Sequence, residues 1–310
     1  MKILVVCSYN AGSIAPFIVE QAHALIDRGI EIDCFTIRKK GIIGYLLSRK
    51  KLLQKINSYT PDIIHAHYGL SGLLANLQHK VPVVTTYHGS DINNSKSRFF
   101  SLIAIKLSKF NIFVSQKLID IAKPKSKYAY LPCGIDLSLF QPESKLEARK
   151  KLSLDVQKKY VLFSGTFSNM VKNYPLAKQA VETLQAVELL ELKGYSRHQV
   201  VLLMNAVDVV LMTSFTEGSP QFIKEAMACN CPIVSTDVGD VKDVIGATTG
   251  CYITSFDAND VADKLRQALA FNSRTSGRSK VLHFDNKLTA EKIIEVYSEV
   301  LKSCQKNKSL

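Results

Sequence analysis

Short runs of β-branched and aliphatic residues recur along this chain, separated in most places by segments long enough to form a helix. Five runs lie in the first half, at residues 2–7, 30–37, 62–66, 81–86 and 111–115. Four lie in the second half, at residues 160–164, 186–192, 207–213 and 232–236. Strands that alternate with helices form parallel sheets covered by helices on both faces. The alternation therefore predicts an α/β fold built on parallel sheets.

The alternation of strand and helix patterns is interrupted once, at residues 143–159, and this interruption predicts two domains. Residues 143–159 are rich in charge and follow a turn that ends at Pro142, so we interpret them as a linker. We expect one doubly wound domain at residues 1–142, a second at residues 160–287, and a closing helix with a tail at residues 288–310. A chain of 310 residues is long enough to give each domain its own core.

The composition is that of a globular protein without a membrane span. Hydrophobic residues make up 46% of the chain and charged residues 22%. No apolar run approaches the roughly 18 residues of a spanning helix, and the first residues form a strand pattern rather than a signal peptide. The seven cysteines are scattered, as is typical of reduced thiols. We therefore expect a cytoplasmic protein.

The loop and helix after the run at 207–213 carry the most informative residues of the second half. Parallel sheets bind ligands beyond the carboxyl ends of their strands. Ser219 is a candidate N-cap and Pro220 a natural first residue of a helix, whose free N–H groups would suit a phosphate. Glu225, one turn inside, could accept hydrogen bonds from the two hydroxyls of a ribose. Spacing alone favours a plain amphipathic helix in which Glu217 and Glu225 are solvated.

The segment from Glu217 to Glu225 resembles the Glu-x7-Glu signature of the retaining family 4 (group 1) glycosyltransferases. The Glu-Gly start, the Glu-Ala-Met finish and the strand that follows are all in register with that signature. By this resemblance Glu225 holds the nucleotide ribose, and Glu217 contacts the donor sugar near its anomeric carbon. The resemblance also assigns four loop residues to the sugar and diphosphate: Gly218, Ser219, Pro220 and Gln221.

The loop after the run at 160–164 resembles the phosphate loop of the same family. Gly165 and Lys172 stand in the family's glycine and lysine positions, but Thr166 replaces the arginine that usually follows the glycine. A diphosphate leaving group needs its developing negative charge offset, and loss of one such donor costs on the order of 3 kcal/mol in other enzymes. The resemblance implies a phosphate role for Lys172, although the lysine taken alone is typical of a solvated loop.

Two segments of the first half place histidines at the ends of apolar runs. His65 and His67 stand at the end of the run 62–66, and His88 follows the run 81–86. We expect the rings of His65 and His67 to point to opposite faces, and no third ligand is suitably spaced, so no metal site is predicted. We interpret His65 as a buried, hydrogen-bonded imidazole. By the family resemblance, His88 lies beside the donor sugar and acts through hydrogen bonds.

The resemblance extends to other loops and covers residues 1 to about 260. Gly12 and Ser13 match the small-residue loop that approaches donor and acceptor, and Cys133 stands in the asparagine position of the family's Pro-Asn-Gly-x-Asp segment. The implied fold is GT-B, two Rossmann-like domains with the donor cleft between them and the closing helix packed on the first. The implied reaction is a retaining hexosyl transfer from a nucleotide diphosphate sugar to a glycan or lipid-linked saccharide. We expect neither cofactor nor metal.

Positive charge is concentrated in the first half of the chain. Residues 1–150 contain 21 Lys and Arg against 10 Asp and Glu, a net +11, whereas residues 151–310 contain 19 against 17, a net +2. Part of this charge lies in the segment from Arg38 to Lys55. Two alternatives are equal for this segment: it binds an anionic membrane as an interfacial segment, or it is a solvated basic helix near the acceptor site. No recognition motif for nucleic acid accompanies the charge. The membrane candidates are six cations interleaved with apolar residues: Arg38, Lys39, Lys40, Arg49, Lys50 and Lys51.

A binding protein of the same fold is the alternative to an enzyme. Thr166 brings no positive charge to the phosphate loop, and the segment between Lys172 and Glu217 is shorter than is usual for the family. Both features would suit an accessory protein that holds a sugar nucleotide or a glycan without turnover. Turnover of a bound donor distinguishes the two.

Overall fold

The computed structural model describes residues 1–9 and 12–306, and these residues form two compact units. Unit 1 contains Met1–Gly134 together with the C-terminal segment that begins at Asn286. Unit 2 contains Ile135–Asp285. Each unit is built on its own parallel sheet, and each is described separately below.

The helices of both units follow most of the strands, as the alternation in the sequence predicts. The first seven are α1 (Pro16–Ile26), α2 (Gly41–Leu47), α3 (Arg49–Tyr59), α4 (Gly69–Asn76), α5 (Ser90–Asn93), α6 (Ser95–Leu107) and α7 (Gln116–Ala122). The others are α8 (Lys145–Lys151), α9 (Tyr174–Glu182), α10 (Arg197–Ala206), α11 (Gln221–Ala228), α12 (Val241–Ile245), α13 (Ala258–Phe271), α14 (Arg278–Val281) and α15 (Asn286–Lys306). Short 3-10 turns cover Met170–Lys172 and Leu282–Phe284.

Unit 1 contains a six-stranded parallel sheet in the order β2-β1-β3-β4-β5-β6. Its strands are β1 (Lys2–Ser8), β2 (Glu31–Ile37), β3 (Ile63–His67), β4 (Val83–Tyr87), β5 (Phe110–Phe113) and β6 (Tyr128–Tyr130). The central strands β3 and β4 are buried throughout, as is typical of a parallel sheet covered on both faces. The strand order reverses between β1 and β3, so the loops after these strands leave the sheet at a topological switch point.

The C-terminal helix α15 belongs to unit 1. It packs against α1, and its Ile293, Tyr297 and Val300 lie in the same buried cluster as Ile3 and Ile63 of the sheet. These three helical residues are spaced by four and three, so they share one face of the helix. The apolar stripe therefore binds the end of the chain to the sheet on which the chain begins.

Unit 2 contains a five-stranded parallel sheet in the order β11-β10-β9-β7-β8. Its strands are β7 (Lys159–Phe163), β8 (Val187–Leu190), β9 (Val209–Met212), β10 (Ile233–Thr236) and β11 (Cys251–Thr254). Its order reverses between β7 and β9. The predicted doubly wound α/β class is therefore confirmed, and each of the nine strands predicted from the sequence is present.

The structure differs from the sequence-based linker at residues 143–159. This segment lies inside unit 2 and contains α8, which packs against α10. Arg149 of α8 is only 4% exposed, and its guanidinium donates to Oδ2 of Asp208 at 2.8 Å. Buried charges are stable when they are paired. The charges of this segment thus attach it to unit 2, whereas the sequence-based prediction had assigned them to a solvated linker.

Two strands, β6 and β11, were absent from the sequence-based prediction. Both lie at sheet edges, and β6 has only three residues. Edge strands contact the core on fewer sides than central strands, so they do not need a continuous apolar run. Their positions follow from the sheets that they extend and not from their own sequences.

Candidate functional site

The candidate site of unit 2 lies where the strand order of its sheet reverses. The chain leaves β7 for β8 on one side and then crosses back to β9 on the other, so the loops after β7 and β9 leave the sheet side by side. The N–H of Ser164, just after β7, donates to the carbonyl of Leu211 in β9 at 3.0 Å. The two strands therefore stay paired up to the loops that carry the predicted residues.

Lys172 lies on a 3-10 turn that is attached to the end of β9. The hydroxyl of Thr213 donates to the carbonyls of Lys172 and Asn173, both at 3.0 Å. The N–H of Phe215 donates to the carbonyl of Val171 at 2.9 Å. Asn173 adopts the left-handed conformation, with φ 54°, which asparagine tolerates better than most residues. These bonds hold the turn beside the loop that follows β9.

Gly165 allows the side chain of Lys172 to cross the phosphate-loop segment. A Cβ atom at position 165 would lie 3.3 Å from Cγ and 3.4 Å from Cε of Lys172. The ammonium Nζ at the end of this side chain lies 2.7 Å from Oε1 of Glu217, and both side chains are 19% exposed. The structure thus brings three sequence-predicted residues together and pairs two of them as ions. Thr166 is half-buried in the same loop and contributes a hydroxyl but no charge.

Helix α11 begins one residue later than the sequence predicts. Pro220 occupies the N-cap position, Gln221 is the first helical residue, and no side chain caps the helix. The hydroxyl of Ser219 donates instead to Oδ2 of Asp240 at 2.5 Å. The prediction that Ser219 is the N-cap was therefore wrong. The hydrogen bond attaches the Ser219 side chain to Asp240, a charged acceptor, and the sequence gives no sign that Asp240 lies next to it.

The turn after β10 supports the loop that contains Gly218 and Ser219. Gly239 has φ +61°, and a Cβ atom there would lie 2.5 Å from the carbonyl oxygen of Gly218. Burial raises the pKa of the Asp240 carboxyl, and the charge of Lys224 and the hydroxyl of Ser219 offset part of that rise. This supporting turn was missed in the sequence. The available signal was Gly239, a glycine shortly after β10, the strand that neighbours β9.

Glu225 lies in the second turn of α11 and is 5% exposed. Its Oε1 accepts a hydrogen bond from Nη2 of Arg197 at 2.6 Å, and the Arg197 guanidinium lies over the ring of Phe140, 4.7 Å from its centroid. Sequence reasoning missed Arg197. A signal was available, because Ser196 and Gln199 form a capping box that starts α10 just after β8, at the same edge of the sheet as the other loops.

Two buried hydroxyls at this edge have no hydrogen-bond partner within residues 1–9 and 12–306. They belong to Ser164, which follows β7, and Ser214, which follows the neighbouring β9. Buried hydroxyls are nearly always hydrogen-bonded in folded proteins. These two hydroxyls, on the loops after β7 and β9, are therefore suited to a polar ligand.

In unit 1, β3 and β4 bring three histidines together. The ring centroids of His65 and His67 are 4.5 Å apart, and those of His67 and His88 are 5.2 Å apart. The prediction that His65 and His67 point to opposite faces was wrong, because side chains two residues apart on a strand share a face. Among the described residues, no group of three or more His, Cys, Asp or Glu side chains is arranged to hold a metal ion.

His65 is a buried imidazole with both ring nitrogens hydrogen-bonded. Its Nδ1 lies 2.7 Å from the hydroxyl of Tyr297, and its Nε2 lies 2.7 Å from Oγ1 of Thr86. Burial lowers the pKa of His65 to about 3 and the pKa of His67 well below its usual range. Both rings are therefore neutral near pH 7.

Asp91 organises the loop that carries His88. Its Oδ1 accepts from the N–H groups of His88 at 3.1 Å and Gly89 at 2.9 Å, and its Oδ2 accepts from the N–H of Gly69 at 3.1 Å. Burial raises the pKa of Asp91 to about 6, although these backbone hydrogen bonds oppose the rise. The carboxyl group thus joins the loops after β3 and β4. The sequence showed Asp91 in the segment but not this role.

The remaining sequence-predicted residues of unit 1 lie on its surface. Gly12 and Ser13 are exposed in the loop after β1, and Gly12 has φ +82°, a conformation that favours glycine. All six predicted membrane cations are exposed. They flank α2, whose four large apolar side chains are also exposed, Ile43 by 74%. In the described part of the chain, no helix has the length and hydrophobicity needed to span a membrane.

Two units, each with a parallel sheet and loops at its switch point, define the class of protein. The structure superposes on sucrose-phosphate synthase of Thermosynechococcus elongatus with a TM-score of 0.85 and 16% identity, covering 98% of this chain and all of the other. It also superposes on HepE of Anabaena in complex with UDP-glucose, with a TM-score of 0.70 and 17% identity, covering 96% of this chain and all of the other. The fold is thus the GT-B fold of glycosyltransferases.

Sequence comparisons identify the family within that class. The model "Glycosyltransferase Family 4" matches residues 14–139, and "Glycosyl transferases group 1" matches residues 174–270. The chain is 30% identical to TuaC of Bacillus subtilis, a glycosyltransferase named for teichuronic acid biosynthesis, over 66% of this chain and 60% of the relative. It is 23% identical to a D-inositol 3-phosphate glycosyltransferase of Pseudarthrobacter chlorophenolicus, over 83% and 81%. The chain belongs to the family 4, group 1 glycosyltransferases.

Proposed function

We propose that this protein transfers a hexose from a nucleotide diphosphate sugar to a glycan or lipid-linked saccharide, with retention at the anomeric carbon. The observation that carries the proposal is the pair of ion pairs at the switch point of unit 2, Lys172 with Glu217 and Arg197 with Glu225. Each carboxylate of the family signature is paired with a cation there. A donor that contains both hydroxyls and phosphates offers a partner to every one of these four groups.

The diphosphate is proposed to bind between the loop after β7 and the start of α11. The ammonium of Lys172 is a point charge that can turn from Glu217 to a phosphate oxygen. The hydroxyls of Ser164 and Ser214, on the same two loops, have no hydrogen-bond partner among the residues that the structure describes. The positive end of the helix dipole at the start of α11 also favours an anion. Transfer builds negative charge on the leaving diphosphate, so groups aimed at that charge accelerate the reaction.

The nucleoside and sugar are proposed to occupy either side of that diphosphate. Glu225 accepts hydrogen bonds from the ribose hydroxyls, with Arg197 holding its Oε1 in place. Glu217 and the segment Gly218–Gln221 contact the donor sugar, and the family resemblance also assigns His88 a hydrogen bond to this sugar. HepE has been solved with UDP-glucose, so uridine diphosphate sugars are the first donors to test.

No metal or cofactor is part of the proposal. Two positive groups are proposed to stabilise the charge of the diphosphate. They are the ammonium of Lys172 and the partial positive charge at the start of α11, and they supply the stabilisation that a metal ion would otherwise give. Thr166 supplies no charge, so the reaction depends more heavily on Lys172 than it would in a relative that keeps the arginine. Addition of EDTA is expected to leave the rate of transfer unchanged.

The surface formed by α2 and α3 is proposed to bind an anionic membrane, where a lipid-linked acceptor would be found. Exposed Ile43 and Leu47 can enter the interface while Lys50 and Lys51 meet the lipid headgroups. Each basic residue near an anionic surface contributes about 1 kcal/mol, so six give reversible attachment. This would place the protein on the cytoplasmic face of a membrane.

The test of the proposed function is a thermal-shift panel of uridine, guanosine and adenosine diphosphate sugars, followed by a hydrolysis and transfer assay with each ligand that binds. We expect stabilisation by one nucleotide, turnover of its sugar, and an α-configured product from an α-configured donor. The Glu217→Ala variant should lose turnover. Binding without turnover, unchanged in Glu217→Ala, would favour an accessory binding protein, and no shift with any nucleotide would contradict both functions.

A further inference from the structure

One ring of the histidine stack in unit 1 has no part in the proposed reaction. His67 is fully buried between His65 and His88. Its Nδ1 lies 3.0 Å from Nε2 of His88. Its Nε2 is buried and has no hydrogen-bond partner among the residues that the structure describes. The two nitrogens of His67 are thus in unequal surroundings, and this inequality determines which of them carries the proton.

A single proton is shared between the two facing nitrogens. Burial lowers the pKa of His67 well below its usual range, so its ring is neutral and carries one N–H. If His88 donated to Nδ1, the N–H of His67 would lie on Nε2, buried without an acceptor. Orphaned buried N–H groups are rarer in proteins than unsatisfied acceptors. The proton therefore belongs on Nδ1 of His67, which donates to His88.

This hydrogen bond determines which ring nitrogen of His88 can donate a hydrogen bond to a ligand. Once the lone pair of Nε2 is occupied by His67, a neutral His88 carries its own N–H on Nδ1. That nitrogen lies 3.5 Å from Sγ of Cys133, and sulfur is only a weak hydrogen-bond partner, so an oxygen of a ligand would replace it readily. The rings of Phe17 and Tyr68 lie 4.8 and 4.7 Å from His88 and restrict its rotation.

We propose that His67 is a positioning residue that holds His88 in the Nδ1–H tautomer, so that His88 acts on the donor sugar as a hydrogen-bond donor. The inference deepens the proposed function and rests on it for the identity of the ligand. It also means that Nε2 of His88 does not accept a proton during transfer. The tautomer itself is a property of the ligand-free protein and can be measured without any substrate.

The direct test uses the full chain labelled with ¹⁵N at its seven histidines. Long-range ¹H–¹⁵N correlations of the rings report which nitrogen of each carries the proton. The signals are assigned by their loss in His67→Leu and in His88→Gln. We expect the Nδ1–H tautomer at both His67 and His88 in the wild type. An Nε2–H tautomer at His88 overturns the proposal.

Two variants at position 67 separate the effect of the hydrogen bond that His67 donates from the effect of the space that its side chain fills. The side-chain amide of His67→Asn can donate from the place of Nδ1, whereas His67→Leu fills the same place without a donor. We expect His88 to keep its tautomer in the first variant and to lose it in the second. Cys133→Ala removes the other partner and should leave the tautomer unchanged. An unchanged tautomer in His67→Leu, or a changed one in Cys133→Ala, overturns the proposal.

Turnover of UDP-glucose supplies the functional arm of the test. We expect His67→Leu to lower kcat about tenfold, the effect of one hydrogen bond, with KM altered less than about twofold. His67→Asn should recover most of that loss, and equal losses in both variants contradict the proposal. If His67→Leu does not fold, the tautomers of the wild type and of His67→Asn still test the proposal. The predicted tautomers in a protein that binds no nucleotide sugar would instead contradict the proposed function alone.

Discussion

The two units share one plan, a parallel sheet with loops at a switch point, but they place different chemistry at that edge. In unit 2 the site residues are ionic, with Lys172 paired to Glu217 and Arg197 paired to Glu225. In unit 1 they are histidines, of which His65 and His67 are fully buried and have lowered pKa values. The same scaffold therefore supports a site of charges in one unit and a site of uncharged hydrogen-bonding groups in the other.

The difference teaches how each edge can respond to a ligand. The Lys172–Glu217 pair is partly exposed, so it is only weakly stabilising and its members can change partners when a phosphate or a hydroxyl arrives. A buried neutral network cannot rearrange cheaply, because every group that loses its partner remains buried. Unit 2 is thus suited to bind a charged ligand, and unit 1 is suited to hold a few donors and acceptors in fixed positions.

Loss of the ammonium group at Lys172 should have the largest effect on activity. In Lys172→Met the leaving diphosphate has no side-chain cation from this loop, and removal of one such stabilising group lowers kcat by about 100- to 1,000-fold. Steady-state transfer assays measure the change, with a thermal melt to show that the variant folds. Lys178→Met is the matched control, because Lys178 is an exposed lysine of α9. A loss of less than about threefold would contradict a phosphate role for Lys172.

The buried carboxyl of Asp91 should make unit 1 less stable as the pH rises. Its pKa is raised to about 6 from an ordinary value of 3.8, so the folded state binds this proton more tightly than the unfolded state. Ionisation between pH 4 and pH 6 therefore lowers the free energy of unfolding, by up to about 3 kcal/mol. In Asp91→Asn this loss is absent.

Urea unfolding of the wild type and of Asp91→Asn at pH 4, 5, 6 and 7 measures that effect. His65 acts in the opposite direction, because its pKa is lowered to about 3, but its contribution is common to both proteins. The stability of the variant relative to the wild type should rise with pH and level off above pH 6. A difference that stays constant across this range would contradict the raised pKa.

Removal of the guanidinium at Arg197 should weaken binding of the donor more than it slows the chemical step. Hydrogen bonds to charged groups contribute about 1.5 to 3 kcal/mol, so Arg197→Met should raise KM for the donor at least about tenfold. Arg197→Lys should recover part of the loss, because it keeps the charge but not the planar fork. Arg266→Met, on the exposed face of α13, is the control. Equal falls in kcat and kcat/KM would place Arg197 in the chemical step instead.

Neutralising two cations on α3 should have the smallest effect, and only on membrane attachment. Lys50→Gln with Lys51→Gln should weaken co-sedimentation with anionic vesicles at low salt by about 2 kcal/mol, about 1 kcal/mol for each charge. The matched double variant removes Lys178 and Lys280, two exposed lysines of unit 2. Turnover of a soluble acceptor should be the same in both. Equal loss of vesicle binding in the control would mean that only net charge matters.

The sequence alone determined the fold class and the order of the main elements. Nine strands were predicted from runs rich in apolar residues, because strands buried on both faces of a parallel sheet are mostly apolar. The closing helix was predicted from its apolar stripe. The Glu217–Glu225 signature and the lysine at position 172 also predicted which loops would meet at one edge of the second sheet. These features depend on a residue and its near neighbours in the chain, and a linear pattern records them.

Only the tertiary structure decided which side chains are partners. The pairing of Lys172 with Glu217 joins residues 45 positions apart, and Ser219 donates to Asp240 rather than capping its own helix. The stacking of His67 on His88 depends on two neighbouring strands, and α8 proved to be part of unit 2. Each of these contacts joins segments that are distant in sequence. The strength of each contact depends on its burial and on the geometry of both partners, and the sequence of one of the two segments determines neither.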